Sequence, residues 1–491
     1  MLNQASRPLY QHLYEHSRIQ AERYHIPGHG AGALFEQEYW QQIGKWDVTE
    51  TYGMDDLHAA YSVIRQAQAL AAEAFGAAET WFLVNGTSSG ILAGISGIFQ
   101  RGDTVLVQRN AHKSVYNGLM LAGIHPQYIF PEMIGAHAIA GVIHPHELRN
   151  ALERHPEAKG VIITSPTYYG HMADVRELAN ICRARGVVLF VDEAHGAHLS
   201  FHPLLRQTSA LLCGADVVVQ SAHKTLPSLT MAAMIHIGNG RALHIDRERL
   251  AYYIGAFQTT SPSYLVMASL DYARHWMAAN GEQYLDAAFK RKQVLTEAIE
   301  AIGLPVLDRL WQAAGRQCDP LKLTIDLRNT GYTGPQWEEQ LAKRQIFVEM
   351  AGIDHILLLL AMDKVAGSDE RLLCAIKEII EQRRIVGEGS MAGSYIFPEP
   401  QMAIPLGECI SRGIHQADMT TDFHLHDCLH RTIAEYVVPY PPGIPLLCPG
   451  EVIAAEHLEY LRIAKAAGIH FHGVHDSQMD TLRCFNPTNL A

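Results

Sequence analysis

Six short apolar runs, strung along one stretch of chain, restrict the possible folds more than any other feature. They are Trp81 to Val84, Thr104 to Val107, Val161 to Thr164, Val187 to Val191, Val217 to Gln220 and Met231 to Ile237. Each is nearly continuous in apolar character rather than alternating. That pattern belongs to strands buried on both faces, which crossover helices must cover. Helical spacing lies before and between them. Ile64, Ala67, Leu70, Ala71, Ala74 and Phe75 share one face and are followed by Gly76. A Gly/Ser-rich turn opens a helix running to about Phe99, and Val175 to Arg185 reads as a helix stopped by Gly186. The expectation is an α/β fold whose large domain is built on a mainly parallel sheet.

A different pattern follows. Leu321 to Leu327, Ile346 to Glu349 and Ile356 to Leu360 read as strands, and Pro335 to Arg344 and Asp369 to Arg383 as helices. This predicts a smaller α+β unit. Gly387 to Ser394 reads as a connector. The expected division is an N-terminal segment 1–50, a large domain 51–290, a small domain 291–386 and a C-terminal unit 395–491 rich in His and Pro. The first fifty residues give only a turn around Tyr24 to Gly30.

A chain of 491 residues buries a large core without disulfide or metal staples. Its 39 Lys and Arg against 51 Asp and Glu give a net charge of −12, which argues against nucleic acid or an anionic membrane as partner. The 8 cysteines are scattered, with no C-x-x-C pair, as expected of reduced thiols in the cytoplasm. Met1 to Gln20 is polar and has no signal-peptide core, and no run of about 18 apolar residues predicts a membrane span. The clusters His470, His472, His475 and His424, His426 lack a carboxylate or thiolate set at ligand spacing, so no metal is expected.

In an open parallel sheet, ligands bind in loops beyond the carboxyl ends of the strands. Four such loops carry chemistry. Asn85 to Gly90 places Gly86, Thr87 and Ser88 at a helix start, where free N–H groups and hydroxyls suit a phosphate. That signal is weak alone. Asn110 to Ser114 contains His112, Val191 to Gly196 contains Asp192 and His195, and Gln220 to Thr225 contains Ser221, His223 and Lys224. Separately these are a loop histidine, a helix-capping acid and a snorkelling lysine. Together they offer a phosphate cradle, a flat imidazole, an acid and an amine in one sheet. Pyridoxal 5′-phosphate needs those groups: an anion site, a lysine for its aldehyde, and a carboxylate that keeps its pyridine nitrogen protonated.

These motifs resemble the Orn/Lys/Arg decarboxylase family of fold-type-I pyridoxal-phosphate enzymes, in its short bacterial form. The resemblance is carried by HIPGHGAG at His25–Gly32, DDLH at Asp55–His58, FGAAETWFLVNGTSSGI at Phe75–Ile91 and RNAHKS at Arg109–Ser114. SPTYYG at Ser165–Gly170, VDEAHGAH at Val191–His198, SAHKTL at Ser221–Leu226, TTSPSYLVMASLD at Thr259–Asp271 and YPPGIPLLCPGE at Tyr440–Glu451 complete it. One departure is visible: Ala60 and Ser62 stand where the family carries Pro and Gly.

The resemblance implies roles. Lys224 would carry the cofactor aldehyde, Asp192 would pair with the pyridinium, and His112 would stack on the ring. Gly86, Thr87, Ser88, Ser221 and His223 would hold the phosphate or lie beside it, and His195 and Thr167 would approach the ring hydroxyl. Thr260 and Ser261 would complete the phosphate site of a neighbouring subunit in a homodimer. His223 or Lys224 would return a proton to the substrate. Glu451, ranked above Glu349, would take a basic substrate side chain. The implied reaction is decarboxylation of a basic amino acid, arginine to agmatine first, with lysine and ornithine behind it. With no room for a further domain before Asn85, a biosynthetic polyamine role is expected. Other pyridoxal-phosphate reactions on this scaffold stay open: transamination, elimination or oxygen-using deamination. A non-catalytic binding role is disfavoured by Lys224 and Asp192 together.

Overall fold

A computed structural model describes residues 7–135, 137, 139–239, 245–384 and 399–486. The connector expected at Gly387 to Ser394 lies outside these residues. The centre is a seven-stranded sheet. Its strands in chain order are β1 (Ala77–Leu83), β2 (Thr104–Gln108), β3 (His125–Ile129), β4 (Gly160–Thr164), β5 (Val188–Asp192), β6 (Val217–Gln220) and β7 (Ala233–Gly238). Across the sheet the order is β1-β7-β6-β5-β4-β2-β3. Strands β3, β2, β4, β5 and β6 run parallel, and β7 runs antiparallel to both β6 and β1.

All six expected strands form. The strand missed by sequence reasoning is β3, HPQYI, which is neither uniformly apolar nor free of proline. It lies at the edge of the sheet, the one place where a strand proline is tolerated. The period of two divides the inner strands between two cores. Leu106, Val161, Ile163, Leu189 and Val191 face one layer, while Val105, Val107, Ile162, Phe190 and Val217 face the other. Helix α1 (Val63–Phe75) covers the first face and α2 (Gly86–Ile98) the second. The glycines of α2 let it lie close on the sheet: a Cβ on Gly94 would stand 2.8 Å from the Phe190 ring.

Helix α3 (Tyr264–Ile302), 39 residues long, starts in the first core with Val266, Met267 and Leu270. It ends with Leu295 and Ile299 in a third core, so one rigid rod joins two units. That second unit contains an antiparallel sheet of Lys322–Asp326, His355–Leu359 and Met350–Ala351, with helices Gly334–Lys343 and Glu370–Arg384 packed on it. Glu22–Tyr24 pairs in parallel with Ile346–Val348, which draws the N-terminal segment onto this unit. Residues 399–486 form a last unit around helix Ala455–Ala467, with paired strands Thr420–His424 and Thr481–Phe485, and Val438–Tyr440 and His470–His472. Among the described residues, no helix is long and apolar enough to cross a membrane.

Candidate active site

Strands β1, β2, β5 and β6 run in the same direction, so their carboxyl ends share one edge, and the four loops singled out from sequence, which follow them, meet there. A cavity of about 540 Å³ opens at that edge. Gly86, Thr87, Ser88, His112, Asp192, His195, Ser221, His223, Lys224 and Glu349 all line it. The proline-rich loop of the C-terminal unit closes the opposite side with Tyr440, Pro441, Pro442 and Ile444.

The phosphate-side geometry follows from local folding. Gly86 begins α2 with φ +79°, and nothing stands within 4 Å of where a Cβ would be. Asn85 gives no side-chain cap, so the first-turn N–H groups are left for a ligand. Thr87 and Ser221 hydroxyls hydrogen-bond to each other across the two loops. His112 caps the helix Lys113–Ala122: its Nδ1 accepts from the Ser114 N–H at 3.2 Å and meets Ser114 Oγ at 2.8 Å. Burial, with Lys224 and Lys113 adding to it, pushes His112 down to about 3, so the ring is neutral.

Asp192 ends β5, buried, with Oδ1 accepting from the Ala194 N–H at 3.1 Å. Burial raises its pKa against the pull of Lys224. An acid placed there asks for a cationic partner. Lys224 sits in the short helix Ala222–Thr225 after β6. Burial, opposed by Asp192 and reinforced by Lys322, brings its amine down to about 8. Its Nζ lies 3.0 Å from Nε2 of His195. His195 is itself held well below its ordinary value, first by burial and then by Lys224 and Lys322. His223 donates from Nδ1 to the Ala232 carbonyl at 3.3 Å, and burial together with Lys224 lowers it to about 4.

Glu349 receives two donors, the Tyr168 hydroxyl at 2.7 Å and the Ile26 N–H at 2.9 Å. Glu451 does not line the cavity. It is fully buried, paired with Arg109 at 3.0 Å, and accepts from the Cys448 N–H at 2.8 Å. The ranking of Glu451 above Glu349 is therefore reversed, because the Glu451 carboxylate is already engaged inside the protein. Thr167 is buried beside the cavity but not in its lining, and its Oγ1 accepts from the His171 N–H at 3.1 Å. Thr260 and Ser261 are exposed on the loop before α3, outside this cavity. Tyr61 and Ser62, beside the Ala60 and Ser62 departure, donate their N–H groups to Asp55, and neither substituted position lines the cavity.

Sequence reasoning missed Lys322, whose Nζ lies 3.2 Å from Nδ1 of His195, and Tyr168, whose ring meets His195 edge-on at 4.9 Å. It also missed that the HIPGHG segment braces the site: His25 and Ile26 line the cavity, and the Gly28 N–H donates to the His223 carbonyl at 2.8 Å. A signal for the last was present, since a glycine- and proline-rich motif outside any element marks a shaped loop. A separate cluster, His137, Asp354 and His355, lies within 4.8 Å among itself. It is an ion-pair network. Burial opposes charge on His137, but Asp326 and Asp354 outweigh it and push the imidazole up to about 9.

An anion cradle with uncapped amides, a neutral flat imidazole, a buried acid and a depressed amine in one cavity match the groups of pyridoxal 5′-phosphate one by one. Fold and site together thus define the aminotransferase-like fold-type-I class of pyridoxal-phosphate enzymes. Within that class, residues 7–367 match the Orn/Lys/Arg decarboxylase major domain and residues 398–479 its C-terminal domain. The chain belongs to the Orn/Lys/Arg decarboxylase family, a family of pyridoxal-phosphate-dependent decarboxylases of basic amino acids. It is 34% identical to arginine decarboxylases of Bacillus subtilis, over 490 residues, and of Halalkalibacterium halodurans, over 492 residues, each match covering 98% of both chains. Lysine decarboxylase A from Pseudomonas aeruginosa superposes with a TM-score of 0.76 at 21% identity, covering 98% of this chain and 80% of that one.

Proposed function

We propose that the chain converts L-arginine to agmatine and carbon dioxide, with pyridoxal phosphate held in the cavity at the carboxyl edge of the sheet. The observation that carries this reading is the meeting of Lys224, Asp192 and the uncapped start of α2 in one cavity. The names of the full-length relatives support arginine as the substrate. Bound there, the cofactor supplies an electron sink for the pair left when the carboxylate departs. Thr87, Ser88, Ser221 and the α2 amides would hold its phosphate. Lys224 would carry the aldehyde, Asp192 would hold the ring nitrogen protonated, His112 would keep the ring flat, and His195 would lie near the ring hydroxyl.

Proton return to the α-carbon falls to Lys224 rather than His223. The Nδ1–H of His223 is spent on the Ala232 carbonyl and the ring is neutral, whereas a released Lys224 amine can carry a proton. Glu349, held by two donors, offers its carboxylate to the guanidinium, which can take it in bidentate fashion. Thr260 and Ser261, exposed beside Asn85, are offered to the phosphate site of a second subunit, so we read the enzyme as a homodimer with shared sites. Polyamine supply in the cytoplasm is the role this product fits.

The test is product analysis with arginine, lysine and ornithine, scoring carbon dioxide, amine, ammonia and peroxide separately. Agmatine and carbon dioxide in equal amounts are expected from arginine, with turnover lost in Lys224→Ala. In Glu349→Gln, KM for arginine should rise by about ten- to a hundredfold, the loss of one charge-assisted contact. Ammonia or peroxide in place of agmatine would sink the decarboxylase reading.

A further inference from the structure

His195 is enclosed between two amines. Its Nε2 faces Lys224 Nζ at 3.0 Å and its Nδ1 faces Lys322 Nζ at 3.2 Å. A neutral imidazole has one N–H and one lone pair, so it donates at one nitrogen and accepts at the other. Were both lysines ammonium ions, one ring N–H would point at another donor. Both ring nitrogens are therefore satisfied only once one amine is neutral and accepts. The surroundings decide which. Lys322 is fully buried on the strand Lys322–Asp326, and burial lowers its amine, opposed by Glu349 and by Asp319 and Asp308, which also pair with His198 and Lys292; its Nζ stands 5.1 Å from the centre of the Tyr168 ring. Its hydrogen bond goes not to a carboxylate but to His195. Lys224 faces Asp192 and Glu349, and against them the positive charge of Lys322. Three carboxylates and an aromatic face favour the charge on Lys322; the amine left to accept is Lys224.

We propose that Lys322 is a positioning residue: as a buried ammonium it donates to Nδ1 of His195 and fixes the imidazole as the tautomer whose Nε2–H points at the amine of Lys224. The inference rests on the reading of Lys224 as the cofactor lysine and deepens it. Two effects on Lys224 follow. The His195 N–H occupies and aims the amine's lone pair, and the nearby like charge keeps a further proton off it. The shift of Lys224 to about 8 goes in that direction. The edge-on Tyr168 ring at 4.9 Å keeps the imidazole from turning. Lys322 is also rigidly seated, since Gly170 leaves only 3.0 Å between its own Cβ position and the lysine Cγ. Because Lys322 comes from the small unit and Lys224 from the large sheet, the reactive amine is set by the seating of one unit on the other.

The test needs no turnover. In the full chain stripped of cofactor, lysine labelled with ¹³C at Cε reports the charge of each amine through its chemical shift. Signals are identified by their loss in Lys224→Met and Lys322→Met. From neutral to alkaline pH, Lys224 should cross to the neutral position near pH 8 while Lys322 stays at the ammonium position. In Lys322→Met the Lys224 transition should move up by about one pH unit. Lys322→Gln serves the same purpose if the methionine variant does not fold. A Lys322 signal that loses its proton before Lys224, or a Lys224 transition unmoved in the variants, overturns the proposal. Borohydride reduction of the cofactor-loaded chain, followed by mapping of the pyridoxyl adduct, separately checks the role of Lys224. An adduct elsewhere would refute that role without touching the lysine–histidine–lysine arrangement.

Discussion

Arg109 and Glu451 are separated by most of the chain, yet they form a buried pair that secures one wall of the cavity. Arg109 donates to the carbonyls of Pro445 at 2.8 Å and Leu446 at 3.1 Å as well as to Glu451. Glu451→Gln leaves that guanidinium without its counter-charge, and breaking a buried pair costs about 3–5 kcal/mol. The expected outcome is an earlier urea transition, with the preference among arginine, lysine and citrulline unchanged. If the preference changes while stability does not, Glu451 binds substrate after all. The sequence placed Lys224, Asp192 and His112 because each ends or follows a buried strand, and strand pattern alone fixes where such residues point. It could not show that Glu451 lies outside the cavity lining, because a motif gives a residue's neighbours in the chain, not the direction of its side chain. Lys322 was unreadable for a related reason: inside an apolar strand it reads as a snorkelling stem, and only tertiary packing turns it towards His195.

Elements show the same division. The runs of β2, β4, β5, β6 and β7 are legible because they are apolar throughout, whereas β3 shares its composition with loops. The proline-rich loop after Val438–Tyr440 was recognised as a motif, but its work depends on contact. Gly443 there has φ +85°, and a Cβ on it would stand 3.1 Å from the His112 ring. The Lys113 N–H also donates to the Gly443 carbonyl at 3.0 Å. Gly443→Ala adds left-handed strain of about 1–2 kcal/mol and presses the methyl against the imidazole. Pyridoxal phosphate affinity should fall by about tenfold, one such increment of free energy, measured by titrating the cofactor-free chain. An unaltered affinity would mean that the loop does not set the position of His112.

Across the whole molecule, buried neutral histidines outnumber the groups that oppose them. Burial lowers His112 and His236 to about 3, and His171, His223 and His457 to about 4. An unfolded chain protonates these rings below about 6.5, while the folded one resists until about 3–4, so unfolding takes up protons in that window. Stability is then fully present above about 6.5 and is lost as pH falls towards 4. Burial acts in the opposite sense on carboxyls, raising Glu193 to about 8 and also raising Asp192, Asp216, Glu338, Glu435 and Glu451, but it lowers His29 and His195 too, and the lowered Asp319, Asp326 and Asp354 add to the loss at the acid end. The midpoint of thermal unfolding should drop steadily on acidification through this range. A midpoint flat between pH 6.5 and 4 would show that the rings are reached by water or protonated in the fold.

The wall supplied by Tyr440, Pro441, Pro442 and Ile444 has a consequence in time as well as space. A ribosome delivers the strands that carry His112, Asp192 and Lys224 long before it delivers the loop that closes over them. The cofactor chamber is thus finished late. A nascent or prematurely ended chain presents the reactive amine in an open cleft, and only a chain read through past Glu451 can enclose what it holds.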